Sequence, residues 1–291
     1  MKRLFFTATV YACCFWTSLQ AAPVKAQLIR YPVYAPQTVE NYQAVCIQND
    51  MNRYVIKLVE TKPQGEKPGS FQIRLREPTV FFSFSRPIND FLEIKVGTLS
   101  IRKLSPNLDA ISFWNREKEA GFTLPLNFSG KKYLLSFSMK EDSPILWSKL
   151  TAPEDSSDQM EITVQAVPSA LIVGQWKGYS RFAKTAQKEI RGAGKFPLKA
   201  EDQYVILSDD DLAVGKKLDK KGTAVGPCLI AWKPDNTSAS IESLDQYIVK
   251  FHLQAKKQIE FGLWESKRKY TDPEFKNYFE TWKKAVSISK D

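Results

Sequence analysis

The feature that most restricts this chain is a period-two alternation of apolar and polar residues, repeated in short runs. Phe71, Ile73 and Leu75 alternate with Gln72, Arg74 and Arg76, and Leu92, Ile94 and Val96 alternate with Glu93 and Lys95. Tyr133, Leu135, Phe137 and Met139 repeat the pattern less cleanly, since Leu134 shares the other face with Ser136 and Ser138. Side chains two apart on a strand share a face, so each run offers one face to a core and one to water. The breaks carry turn chemistry: Asn49-Asp50-Met51-Asn52, the stretch 62–70 (KPQGEKPGS), Ser105-Pro106-Asn107 and Ser129-Gly130. No run of helical spacing interrupts them. The pattern predicts a mainly β protein, with an antiparallel β-sandwich-like domain over residues 27–150.

Residues 151–158 (TAPEDSSD) are polar, with one Pro, two Ser and three acids. They read as a linker to a smaller α+β domain over 159–291. In that domain Tyr179, Phe182, Ala183, Ala186 and Ile190 fall at helical spacing, and Gly192 is placed as a C-cap. Val249, Phe251, Leu253 and Ala255, then Ile259, Phe261 and Leu263, alternate on either side of Lys256-Lys257 and predict a hairpin. The sequence closes on an expected amphipathic helix. Asp272 caps it, Pro273 occupies its first turn, and Phe275, Tyr278, Phe279, Trp282 and Val286 form one stripe.

The first 26 residues have the three parts of a secretory signal peptide. Lys2 and Arg3 supply positive charge, Leu4 to Trp16 form an uncharged run of 13 residues, and small residues follow at Ala21, Ala22 and Ala26. A membrane span needs about 20 apolar residues, so the run suits a cleaved signal and not a membrane anchor. Two cleavage points are open: after Ala21, or after Ala26, where Val24 and Ala26 give the small-residue spacing a signal peptidase prefers. Val10-Tyr11-Ala12-Cys13 offers a third processing mode, in which Cys13 becomes a lipid-anchored first residue, but bulky Tyr11 and the apolar run through Trp16 disfavour it. The expectation is an exported protein of the periplasm, cell envelope or extracellular space, with no membrane span.

Removing residues 1–26 takes away three basic residues and no acidic one, lowering the net charge from +10 to +7. The charges are interspersed along the strands, whereas a nucleic-acid binder gathers them on one face among aromatic residues. Nucleic acid is therefore not an expected partner. An anionic envelope component, a glycan or a protein fits better.

Chemistry is restricted by the single histidine, His252, which alternation places with Lys250 and Gln254 on the polar face of a strand. One histidine excludes three-His and paired-His metal sites. No GxSxG elbow, Walker A loop or GxGxxG is present, and Asp209-Asp210-Asp211 lacks the spacing of an EF-hand loop. No catalytic, metal or cofactor-binding residue is assigned, and no cofactor is expected. Cys46 and Cys228 are the two cysteines left after processing. They are either buried thiols or, in an oxidising compartment, a disulfide. Trp264 lies on the strand face opposite Ile259, Phe261 and Leu263, which makes it the candidate ligand-contact aromatic.

Gly174-Gln175-Trp176 is similar to the Gly-x-Trp that opens lipocalin-like barrels, although the residues after it read as helix where such a barrel starts a strand. That resemblance implies a small-molecule carrier. The leading reading is an exported non-catalytic binding or structural protein. The alternatives are a secreted, glycan-active hydrolase using only carboxylates and the lipocalin-like carrier.

Overall fold

The structure is a computed structural model, and it describes residues 23–32, 36–66, 68–77, 91–166, 181–202, 204–209, 228–246 and 248–265. The expected C-terminal helix, Gly174–Trp176, Cys13 and most of the expected leader lie outside the described residues.

Two antiparallel sheets face each other. With strands numbered along the chain, the first runs β1 (Lys25–Leu28), β2 (Val39–Gln48), β3 (Arg53–Thr61), β4 (Ser70–Glu77), β5 (Leu92–Val96), β11 (Met160–Ala166), β18 (Val249–Ala255), β17 (Ser238–Glu242) and β14 (Lys195–Leu198). The short β6 (Leu99–Ser100) pairs with β5. The second runs β13 (Glu189–Ile190), β12 (Arg181–Lys184), β15 (Tyr204–Asp209), β16 (Cys228–Trp232), β19 (Gln258–Glu265), β10 (Leu146–Thr151), β9 (Lys131–Lys140), β8 (Glu119–Phe128) and β7 (Ser112–Asn115).

The alternating residues do what their spacing predicts. Phe71, Ile73, Ile94, Phe251 and Leu253 point inward from the first sheet, while Phe122, Leu135, Phe137, Ile259 and Phe261 point inward from the second, all within one core cluster. Trp232 of the second sheet meets Phe251 of the first with ring centroids 5.5 Å apart. Burying an aromatic or branched side chain of this kind stabilises the fold by about 1.5–3 kcal/mol. The mainly β sandwich expected from the sequence is thus the observed architecture.

Two local expectations are corrected. Residues 179–190 were expected as helix, but 181–190 form the strand pair β12 and β13. Thr185 decides this turn. Its Oγ1 accepts from the backbone N–H of Gln187 and Lys188 at 3.1 and 3.0 Å, and donates to buried Asp202 Oδ1 at 2.7 Å. A side chain that satisfies nearby N–H groups in this way offers the backbone an alternative to helix. The second correction concerns the expected hairpin at 247–265. β18 pairs with β11 and β17, whereas β19 pairs with β10 and β16, so Lys256-Lys257 carries the chain from one sheet to the other. Two alternating strands on either side of a short turn serve equally well as a ladder or as facing walls of a core.

The 152–159 segment makes the same passage, from β10 to β11, and the two crossings are tied together. Ala152 N–H donates to Lys257 O at 2.9 Å, and Lys257 Nζ donates to the carbonyls of Glu154 and Ser156 at 2.7 and 2.9 Å. Each sheet takes strands from both sides of this segment.

Candidate ligand-binding face

The outward face of β11, β18 and β17 carries a polar network centred on the single histidine. Inward-facing Ile162, Val164, Phe251, Leu253 and Ile241 anchor these strands in the core. Their neighbours must therefore point the other way. Cross-strand register places Thr163 beside His252 and His252 beside Ser240, with Glu161 opposite Gln254 and Glu242 opposite Lys250.

His252 is at the centre, its side chain only 15% exposed. Nδ1 lies 3.0 Å from Thr163 Oγ1 and 3.9 Å from Glu161 Oε1. Nε2 lies 3.1 Å from Glu242 Oε1, an ion-pair distance that lacks hydrogen-bond alignment. Gln254 Nε2 donates to Glu161 Oε2 at 3.1 Å, and Lys250 Nζ approaches Glu242 Oε1 at 3.6 Å. Burial alone would raise the pKa of Glu242, but contact with His252, helped by Lys250 and Lys195, holds it below the ordinary carboxylate value.

Beside this row, where β17 begins and β18 ends at the crossing to β19, lies a groove of ≈ 670 Å³. That is within the size range of small-molecule sites. Gln159, Asn236, Gln254 and Gln258 contribute amides, Ser238 a hydroxyl, and Asp235, Lys256 and Lys257 charges, with Ala255 the single apolar residue of the lining. Gln254 belongs to both the groove and the histidine network. Eight of the nine lining residues carry a side-chain group that can donate or accept a hydrogen bond. Among the described residues no group of His, Cys, Asp and Glu forms a metal-ligand set, and no helix is long and apolar enough to cross a membrane.

The residues singled out from the sequence are dispersed. His252 does share its face with Lys250 and Gln254, but its partners Thr163, Glu161 and Glu242 come from strands whose pairing leaves no local mark in the sequence. Trp264 points away from the main core into a smaller apolar cluster outside the second sheet, with Trp147, Ile145, Tyr204, Ile206, Leu229 and Ala231. Cys46 is buried on β2 of the first sheet, its Sγ 3.6 Å from Gln48 Oε1, and Cys228 is buried on β16 of the second.

The outward side of the second sheet has its own order. Register aligns Trp114, Gly121, Ser138, Trp147, Gly262, Ala231 and Tyr204 in one row across seven strands. A Cβ added at Gly121 would stand 2.5 Å from the Trp114 ring, and one added at Gly262 would stand 3.3 Å from the Trp147 ring. Each indole thus covers the glycine beside it. Lys233 Nζ lies 5.8 Å from the Trp147 centroid and pairs with Glu260 at 2.7 Å.

No family model and no curated protein matches this chain. Among solved structures it is similar to an α-N-acetylgalactosaminidase from Bifidobacterium bifidum in complex with GalNAc, at 6% identity and a TM-score of 0.47, over 87% of this chain and 38% of that one. A galactose mutarotase-like protein from Clostridium acetobutylicum is similar at 7% identity and a TM-score of 0.41, over 84% of this chain and 98% of that one. A heparan sulfate lyase mutant from Pedobacter heparinus is similar at 9% identity and a TM-score of 0.38, over 79% of this chain and 36% of that one. The chain spans less than two fifths of the length of the first and third of these. At such scores the likenesses carry no functional argument.

Proposed function

We propose that this is an exported, non-catalytic binding protein that takes a hydroxyl-rich ligand, a glycan, in the groove where β17 begins and β18 ends. The observation that carries the reading is the groove's lining, in which amides, a hydroxyl and opposed charges leave only Ala255 apolar. An apolar carrier would need the reverse composition. Sugar hydroxyls both donate and accept, as do the amides of Asn236, Gln254 and Gln258, so a glycan can replace the water these groups bind. Gln254 is held by Glu161 and is oriented before any ligand arrives. Such preorganisation lowers the cost of binding.

The test is calorimetric titration of the purified protein with a panel of neutral and acidic oligosaccharides, alongside Asn236→Ala and Gln254→Ala. At least one glycan should bind, each variant should weaken it about tenfold, which corresponds to roughly 1.4 kcal/mol, and the glycan should be recovered unchanged. Absence of binding at millimolar ligand, or equal binding by both variants, would refute the site. New reducing ends in the recovered glycan would replace this reading with the carboxylate-dependent hydrolase.

A further inference from the structure

We infer that processing removes residues 1–21, with the cut after Ala21, and that Pro23–Leu28 belong to the working protein. The inference rests on the export reading above and chooses the site after Ala21 over the site after Ala26, although the latter has the small-residue spacing of Val24 and Ala26. A signal peptidase reads a short stretch with small residues at alternate positions; Ala26 has Val24 two residues before it, and Ala21 has Leu19 there and the small Ala22 after it. What separates the two bonds is the strand that lies between them and the rest of the fold.

β1 is a working part of the sandwich. Its four residues pair antiparallel with β2, from Lys25 opposite Gln48 to Leu28 opposite Val45. Val24 and Ala26 are 2% and 4% exposed and belong to the main core. Ala26 also links the two sheets. Its N–H donates to Asn115 Oδ1 at 2.8 Å, and Asn115 Nδ2 donates back to Ala26 O at 3.3 Å. Asn115 lies on β7, so this reciprocal pair joins edge strands of opposite sheets.

A cut after Ala26 would discard both buried side chains and half of the β1 ladder. It would leave the Asn115 amide without either partner and place a charged amino group on Gln27, opposite Cys46. Of β1 only Gln27 and Leu28 would remain, and Leu28 is 51% exposed. A cut after Ala21 keeps every one of these contacts and puts the new amino group two residues ahead of the first buried side chain.

Two measurements test this. The full chain, leader included, is expressed in an exporting bacterial host, and the exported product is read by intact mass and amino-terminal sequencing. A chain beginning Ala22-Pro23-Val24 is expected. A start at Gln27 overturns the placement and leaves export standing. A lipid-modified start at Cys13 likewise overturns the placement and leaves export standing, and an unprocessed chain overturns both. In the second measurement, chains beginning at Ala22 and at Gln27 are produced without a leader and melted. The shorter chain should melt about 5 °C lower or fail to fold, and equal melting temperatures would remove the structural ground for the inference.

Discussion

The two outward faces of this sandwich are built from the same alternation and end in opposite chemistry. On the first sheet, β11, β18 and β17 send Thr163, His252, Glu161, Glu242 and Gln254 outward, bound to one another and bordering a groove. On the second, β15 and β16 send out Tyr204, Ile206, Leu229 and Ala231, of which Tyr204, the most exposed, keeps only 7% of its surface. These strands are therefore buried on both sides, which is why Cys228–Trp232 (CLIAW) reads as an unbroken apolar run. The contrast separates two roles. The apolar face works as a second packed layer, and the polar face retains hydrogen-bonding capacity toward water and is the face the proposed function uses.

If that division is right, substitutions that disturb packing should cost more on the second sheet than polar deletions cost on the first. The largest expected effect is Gly121→Ala. Its new Cβ would fall 2.4 Å from Phe137 O and 2.5 Å from Trp114 Cζ2, and a backbone carbonyl within a ladder cannot turn away. A loss of about 3 kcal/mol, at the top of the overpacking range, is expected in urea denaturation. A neutral result would mean that Trp114 does not cover this strand.

Trp147→Ala should follow, at about 2 kcal/mol, because the half-buried indole both covers Gly262 and packs on Ile145. Glycan affinity should be unchanged in this variant, and a parallel loss of binding would break the division between the faces.

On the polar face, His252→Ala is expected to cost about 1 kcal/mol, the scale of one partly buried hydrogen-bonded group. The same site has a pH signature. The folded-state pKa of Glu242 is lowered from its ordinary 4.5, so its contribution to stability is complete above that value and is lost as pH falls through the lowered one. Part of the acid destabilisation of the wild type should therefore be missing from His252→Ala. Superimposable pH–stability curves would show that the His252–Glu242 contact carries no energy.

The smallest effect concerns the cysteines. Val45 and Ile47 point into the core, so Cys46 between them lies on the outward side of its sheet, whereas Cys228 points inward from the other. Packed sheets stand about 10 Å apart, and a bridge needs Cα atoms within about 7 Å. Thiol labelling of the processed chain under denaturing, non-reducing conditions should count two thiols per molecule. A count of zero would establish the Cys46–Cys228 bridge and would bring the two sheets closer at this edge than their packing implies.

How much of this was legible in advance follows from the range of each signal. Alternation is local, because a strand's two faces are written in consecutive residues. The inward sets Phe71, Ile73, Leu75 and Tyr133, Leu135, Phe137, Met139 could therefore be read directly, as could the turn at Ser129-Gly130, where both residues take the positive φ that a tight hairpin needs. The residue at the centre of the polar network was also legible, since His252 sits between Lys250 and Gln254 on one face. Its partners were not. Thr163 reaches His252 across 89 positions, and Glu242 arrives through the pairing of β17 with β18, a contact between distant segments that leaves no periodic trace. The same holds for the passage at Lys256-Lys257. Two alternating strands and a short turn fit a hairpin or a crossing between sheets, and the choice was made by β10, β11, β16 and β17, which supply ladder partners on opposite sides of the core. Strand identity and facing were determined by the sequence alone because both rest on neighbouring side chains. Sheet membership, the polar network and the groove were decided by tertiary structure because each depends on which distant strand satisfies a backbone edge.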